Sequence, residues 1–79
     1  METNKIRDIL STHGRLTTPV SDLQDDSDLY QAGLTSLATV GLMLALEDEF
    51  DVEFPDSVLS RKTFGSIEAI ADTIEDLLD

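Results

Sequence analysis

The longest helical pattern in the chain is AGLTSLATVGLMLALEDEF, residues 32–50, in which two hydroxyl residues come directly before a long apolar run. The apolar residues of the run recur at helical spacing as far as Phe50. Either Thr35 or Ser36 is suited to be the N-cap, because a hydroxyl oxygen accepts the hydrogen bond of a free backbone N–H in the first turn. We therefore predict a capped helix over residues 35–50.

On a helical projection, the predicted helix is apolar on two sides. The stripe that we predict to face the core consists of Leu42, Met43, Leu46 and Phe50. The stripe on roughly the opposite side consists of Leu37, Val40 and Leu44, with the small residues Ala38 and Gly41 between the two. A helix in a small bundle needs only one apolar face, so we interpret the second stripe as a docking surface rather than as further core. Gly41 is either a point of close approach or a tolerated weak position, since glycine inside a helix costs about 1 kcal/mol relative to alanine.

The rest of the chain also predicts helices and loops without a strand. Residues 3–13 form an amphipathic pattern around Ile6 and Leu10, with Thr3 as a candidate N-cap and Gly14 as a candidate C-cap. Residues 14–35 lack a sustained period and predict a long loop. The apolar residues that would fasten this loop to the core are Leu16, Val20, Leu23, Leu29 and Leu34.

A short helical turn over residues 56–59 is expected after Pro55, and a last helix follows with Ser66 as its N-cap. The stripe of this last helix consists of Ile67, Ile70, Ala71, Ile74, Leu77 and Leu78. We therefore predict an all-α fold with three main helices, one short helix and a long first loop, in a single domain over residues 1–79.

Composition narrows the function. With 79 residues the chain is small for a complete enzyme site, which favours a carrier, an adaptor or a binding module. The formal net charge of −12 repels nucleic acid phosphates and anionic membranes and attracts basic proteins. The chain has no cysteine, which fits a reducing compartment. No signal peptide or membrane-spanning pattern is evident, and we expect a soluble, cytoplasmic monomer.

Neither catalysis nor metal binding is favoured by the residues around Ser36. A nucleophile elbow needs glycine two residues before and two residues after the serine, where this chain has Leu34 and Ala38. The one histidine, His13, is expected in the last turn of the first helix, where it complements the helix dipole. A calcium loop that began at Asp26 would lack its glycine and its final glutamate. Ser36 is therefore either a cap or an attachment point, whose phosphate the N-terminus of the helix would stabilise.

The residues Gly33-Leu34-Thr35-Ser36-Leu37, followed by LMLALEDEFDVEFPD at residues 42–56, resemble the pattern of the acyl carrier protein family. The serine lies 19 positions before Pro55, as it does in that family. The resemblance implies a four-helix carrier domain that is not itself an enzyme. It also implies that a phosphopantetheinyl transferase moves a 4′-phosphopantetheine arm from coenzyme A onto Ser36. The arm would supply the thiol that the chain lacks. The partner-docking residues that the resemblance and the second stripe together indicate are Thr35, Leu37, Val40, Gly41, Leu44, Glu47 and Asp48.

Three departures from the usual family pattern indicate the kind of carrier. Thr35 stands in place of an aspartate, and Ala38 and Gly41 stand where fatty-acid carriers have acidic residues. The segment FPDSVLSRKTFGSI, residues 54–67, is also longer than in those carriers. In these features the chain resembles small bacterial carriers that are loaded by amino acid:carrier protein ligases similar to seryl-tRNA synthetase. The alternatives are an acyl carrier for fatty-acid, polyketide or specialised lipid synthesis and an unmodified helical adaptor.

Overall fold

The computed structural model describes residues 3–79, and helices are the only regular secondary structure in that range. The three main helices are α1 (Thr3–His13), α2 (Ser36–Phe50) and α3 (Ile67–Leu78). Two short 3-10 turns, Val20–Asp22 and Asp56–Val58, lie in the connections. The all-α prediction is confirmed, and the predicted short helical turn after Pro55 is the second of these turns. The turn at Val20–Asp22 was not predicted.

The two ends of α1 differ from the prediction in detail. Thr3 already lies within the helix, so its prediction as the N-cap is wrong. Gly14 does follow the helix directly, and its N–H donates to the Leu10 carbonyl at 2.7 Å. The left-handed backbone conformation, however, falls on Arg15, with φ 52°. Gly14 is needed for space, because a Cβ there would lie 2.6 Å from the Leu10 carbonyl oxygen.

The core lies between the three helices and includes two aromatic rings from the connection before α3. The fully buried large side chains are Ile6, Leu10, Leu29, Leu42, Leu46, Ile67, Ile70 and Ile74. Phe54 and Phe64 are also buried and meet edge to face, with ring centroids 5.7 Å apart. The predicted stripe of α3 is confirmed except at its end. In the last turn Leu77 packs against the core, while Leu78 is 56% exposed.

The core face of α2 differs from the prediction at three positions. Leu42 and Leu46 are fully buried as predicted, but Met43 and Phe50 are only half-buried. Ala38, expected between the two stripes, is only 8% exposed and belongs to the core. It lies one turn before Leu42 on the line that continues to Leu46, and residues four apart share a helix face. Its small side chain lets this end of α2 approach the rest of the core closely.

The long first loop is held to both α1 and α3. From α1, the Arg7 guanidinium donates to the carbonyl oxygens of Val20 at 3.1 Å and Leu23 at 2.9 Å, and pairs with Asp25 at 2.7 Å. From α3, the N–H of Glu68 donates to the Asp25 carbonyl at 2.8 Å. The five apolar loop residues predicted to fasten the loop are all buried or half-buried against the core, as expected.

A tight turn at Gly33 sets the start of α2. Gly33 has φ +110°, which side chains rarely adopt, and a Cβ there would lie 2.8 Å from the Thr17 nitrogen. The Thr17 N–H and hydroxyl both donate to the Ala32 carbonyl, at 2.9 Å and 3.0 Å. The two ends of the loop are thereby joined directly before Thr35, so the position of the helix start is fixed by long-range contacts.

Candidate functional site

Thr35 is the residue that caps α2. Its backbone is extended (φ −98°, ψ 163°), and its hydroxyl oxygen accepts the N–H of Ala38 at 3.1 Å. Its carbonyl oxygen accepts the hydroxyl of Thr39 at 2.7 Å. The choice between Thr35 and Ser36 that the sequence left open is therefore resolved in favour of Thr35. Ser36 becomes the first helical residue.

The Ser36 side chain is exposed, and its hydroxyl makes no hydrogen bond to any residue from 3 to 79. The first N–H groups of a helix have no partner within the helix, and the helix dipole places partial positive charge there. A phosphate ester on this hydroxyl would lie at that positive end. The site therefore fits a covalent phosphate-linked group.

His13 lies at the last residue of α1, as predicted, and is exposed. It lines a surface cavity with Thr35 and Leu37 on one side of the α2 start. Ser36 lines a different cavity, and no hydrogen bond joins the side chains of His13 and Ser36. The geometry thus offers Ser36 as an attachment point and does not pair it with this imidazole as a base.

The cavity beside Ser36 has a volume of about 340 Å³ and is open to solvent. From α2 it is lined by Ser36, Thr39, Val40 and Met43, and from the rest of the chain by Tyr30, Leu59, Ser60, Arg61 and Phe64. The guanidinium carbon of Arg61 lies 3.9 Å from the centroid of the Tyr30 ring, which is a cation–π contact. The sequence analysis named neither Tyr30 nor Arg61 as a site residue. Two features of the sequence could have drawn attention to them: Arg61 is one of few basic residues in an acidic chain, and Tyr30 is its one tyrosine.

The second apolar stripe of α2 is exposed, as predicted. Leu37 is 83% exposed, Val40 53% and Leu44 55%. Gly41 is exposed among them, and a Cβ built on it would meet no atom within 4 Å. A side chain at position 41 would therefore extend into open space beside the stripe.

Glu47 and Asp48, the two acidic residues predicted to contact a partner, differ in exposure and in their contacts within the chain. Asp48 is exposed, whereas Glu47 is half-buried and its carboxylate accepts the N–H of Phe54 at 2.8 Å. Glu47 therefore holds the extended segment after the helix.

No set of three or more side chains suited to bind a metal ion occurs within residues 3–79. None of the helices in that range is both long enough and apolar enough to cross a membrane.

Comparison with known proteins gives consistent matches over most of the chain. Residues 4–74 match the family model described as "Phosphopantetheine attachment site". The aminoacyl carrier protein of Agrobacterium fabrum is 55% identical over 74 residues, which are 94% of this chain and 89% of that protein.

Two solved structures extend the comparison to the fold. A carrier protein from Agrobacterium tumefaciens, crystallised with an engineered Bradyrhizobium japonicum glycine:carrier protein ligase and AMP, has a TM-score of 0.89 and 53% identity. The alignment covers 92% of this chain and 97% of that one. The holo acyl carrier protein NE2163 of Nitrosomonas europaea has a TM-score of 0.85 and 30% identity, over 99% and 98% of the two chains.

Proposed function

Because the chain belongs to the family of carrier proteins with a phosphopantetheine attachment site, we propose that Ser36 carries the arm and that the arm holds an activated amino acid. A phosphopantetheinyl transferase moves 4′-phosphopantetheine from coenzyme A onto the Ser36 oxygen. The pyrophosphate bond of coenzyme A breaks, adenosine 3′,5′-bisphosphate leaves, the hydroxyl loses its proton, and a phosphodiester remains on Ser36. When attached, the arm supplies the thiol on which the cargo is held as a thioester. In this proposal residues 1–79 act as one monomeric, cytoplasmic carrier domain that catalyses no reaction itself.

The observation that carries the proposal is the division of roles between Thr35 and Ser36. Thr35 caps the helix, so the exposed hydroxyl of Ser36 is available for modification. The free N–H groups of the first turn favour the phosphate that modification brings. The tight turn at Gly33, near the end of the long first loop, holds the start of α2 in place before any partner binds.

An amino acid is the cargo that the comparisons favour. The chain is 55% identical to an aminoacyl carrier protein and 53% identical to a carrier solved with a glycine:carrier protein ligase, whereas it is 30% identical to the holo acyl carrier protein. We therefore propose that an ATP-dependent amino acid:carrier protein ligase loads the arm.

Partner enzymes are proposed to dock on the exposed stripe of α2. Leu37, Val40 and Leu44 would supply the apolar anchors, because interfaces depend on a few such side chains. Gly41 leaves room for close approach between them. At the two ends of the stripe, Thr35 and the acidic pair Glu47 and Asp48 would complete the contact surface.

A second candidate is an acyl carrier for fatty-acid, polyketide or specialised lipid synthesis, which the similarity to a holo acyl carrier protein supports. It shares the Ser36 chemistry and differs only in the enzyme that loads the thiol. An unmodified helical adaptor could use the same exposed stripe but would not need the Ser36 hydroxyl.

Intact mass tests the proposal after incubation with coenzyme A and a broad-specificity phosphopantetheinyl transferase. The natural chain is expected to gain the mass of one arm and Ser36→Ala to gain none. Ser60→Ala is the matched control, because Ser60 lines the same cavity and should leave the modification unchanged. Attachment to Ser36→Ala would refute the site, and an unmodified natural chain would favour the adaptor. Incubating the holo-protein with ATP, glycine and a glycine:carrier protein ligase, or with a fatty acid and an acyl ligase, then separates the two cargo classes.

A further inference from the structure

Arg61 lies over an aromatic ring rather than beside a carboxylate, although the chain is strongly acidic. The sequence has 17 acidic residues and 5 lysines and arginines. Within residues 3–79, ion pairs join Lys5 to Glu49 at 3.5 Å and Arg7 to Asp25 at 2.7 Å, whereas Arg15, Arg61 and Lys62 pair with no carboxylate in that range. The Arg61 guanidinium is stacked on Tyr30 instead. Ion pairing therefore does not explain its position, and its hydrogen-bond donors remain available to an anion.

The cavity that Arg61 lines is the one that Ser36 also lines. Apolar side chains make up much of the rest of its wall, namely Val40, Met43, Leu59 and Phe64. At about 340 Å³, its volume lies at the lower end of the range for small-molecule sites. One cavity thus combines the attachment hydroxyl, an unpaired guanidinium and an apolar wall.

We propose that Arg61 binds the phosphodiester at the base of the arm on Ser36, and that the apolar wall receives the dimethyl-bearing segment next to it. This inference rests on the proposed function. A planar guanidinium matches the oxygens of a phosphate with two parallel hydrogen bonds. Stacking on Tyr30 holds that plane in position, so that less side-chain freedom is lost on binding. The contact also offsets the repulsion that a chain of net charge −12 exerts on a phosphate.

Arg61 and Lys62 provide a matched pair of variants. Both are exposed and basic, but Lys62 does not line the cavity. The holo forms of the natural chain, Arg61→Gln, Arg61→Lys and Lys62→Gln are compared by phosphorus NMR, in which the arm contributes one phosphodiester signal. Urea-unfolded holo-protein supplies the reference for an arm that makes no contact. We expect Lys62→Gln to keep the natural chemical shift and Arg61→Gln to move towards the unfolded reference. Arg61→Lys should fall between them, because it keeps the charge without the planar fork.

Tyrosine fluorescence gives a second readout, because Tyr30 is the only tyrosine and the chain has no tryptophan. Attachment of the arm should change Tyr30 emission in the natural chain and in Lys62→Gln, and that change should be lost in Arg61→Gln. Intact mass is measured first, so failure of the arm to attach to the natural chain would overturn the proposed function. An attached arm whose phosphorus shift is the same in all four proteins would overturn only the role of Arg61.

Discussion

Thr35 and Ser36 are adjacent hydroxyl residues with different roles. An N-cap has an extended backbone, whereas the residue after it is already helical, so only one of the two can cap. The turn at Gly33 and its contacts with Thr17 determine that Thr35 takes the extended position. Ser36 is consequently placed in the first turn with a hydroxyl that the fold does not use.

Thr35→Ala and Ser36→Ala should therefore affect stability differently in the apo-protein. Loss of the cap in Thr35→Ala should lower the free energy of unfolding by about 1 kcal/mol. Ser36→Ala should change it by less than about 0.5 kcal/mol, as exposed substitutions usually do. Urea denaturation followed by circular dichroism measures both, with Thr35→Ser as the control that keeps the cap. A larger loss for Ser36→Ala than for Thr35→Ala would mean that Ser36 has a structural role.

Helix α2 serves the core and the surface at once. Ala38, Leu42 and Leu46 line its buried face, and the exposed stripe lies on the other side. Because α2 is apolar on two faces, its sequence pattern does not identify which face is buried. The elements packed around the helix decide that. The Thr35 cap and the Gly33 turn set where the helix begins and therefore which residues face inward.

Leu42→Ala and Leu44→Ala test the two faces, because they make the same chemical change two residues apart. Leu42→Ala should cost about 2–5 kcal/mol of stability, since Leu42 is fully buried. Leu44→Ala should scarcely change the melting temperature but should weaken loading by the partner enzyme by more than about 1 kcal/mol. Thermal melts and kcat/KM for loading distinguish them. If Leu44→Ala melts the fold while the remaining folded protein loads normally, the second stripe is core.

At the scale of the whole molecule, a net charge of −12 is combined with a first turn of α2 that carries no charged side chain. The positions that fatty-acid carriers fill with acids are Thr35, Ala38 and Gly41 in this chain. Ala38 is buried, so an acid at that position would place a charge in the core and destabilise the fold. Only Thr35 and Gly41 can therefore accept an acidic side chain at the surface.

Loading of the natural chain should fall less with added salt than loading of the double variant Thr35→Asp, Gly41→Glu. Screening weakens exposed charge pairs and has little effect on apolar contacts. Aspartate is also a good N-cap, so the variant should fold. The neutral, nearly isosteric variant Thr35→Asn, Gly41→Gln is the control for size. We would measure kcat/KM for loading at rising salt concentrations. Equal salt dependence in all three proteins would contradict an apolar docking surface.

Local sequence was sufficient to predict the helices, the Ser66 cap and the loop residues that reach the core. These features depend on periodicity and on hydrogen bonds between residues a few positions apart. The exposure of Leu37, Val40 and Leu44 could also be predicted, because the opposite face already supplied the core.

The burial of Ala38 and Phe64, the choice of Thr35 as the cap and the stacking of Arg61 on Tyr30 became evident only in the folded chain. Arg61 and Tyr30 lie in different connections, and neither belongs to a periodic pattern. Their contact forms because the hydrogen bond from Leu29 to Gly65, 2.8 Å long, brings those connections together. Such contacts depend on the path of the loops through space, for which the spacing of residues along a helix carries no information.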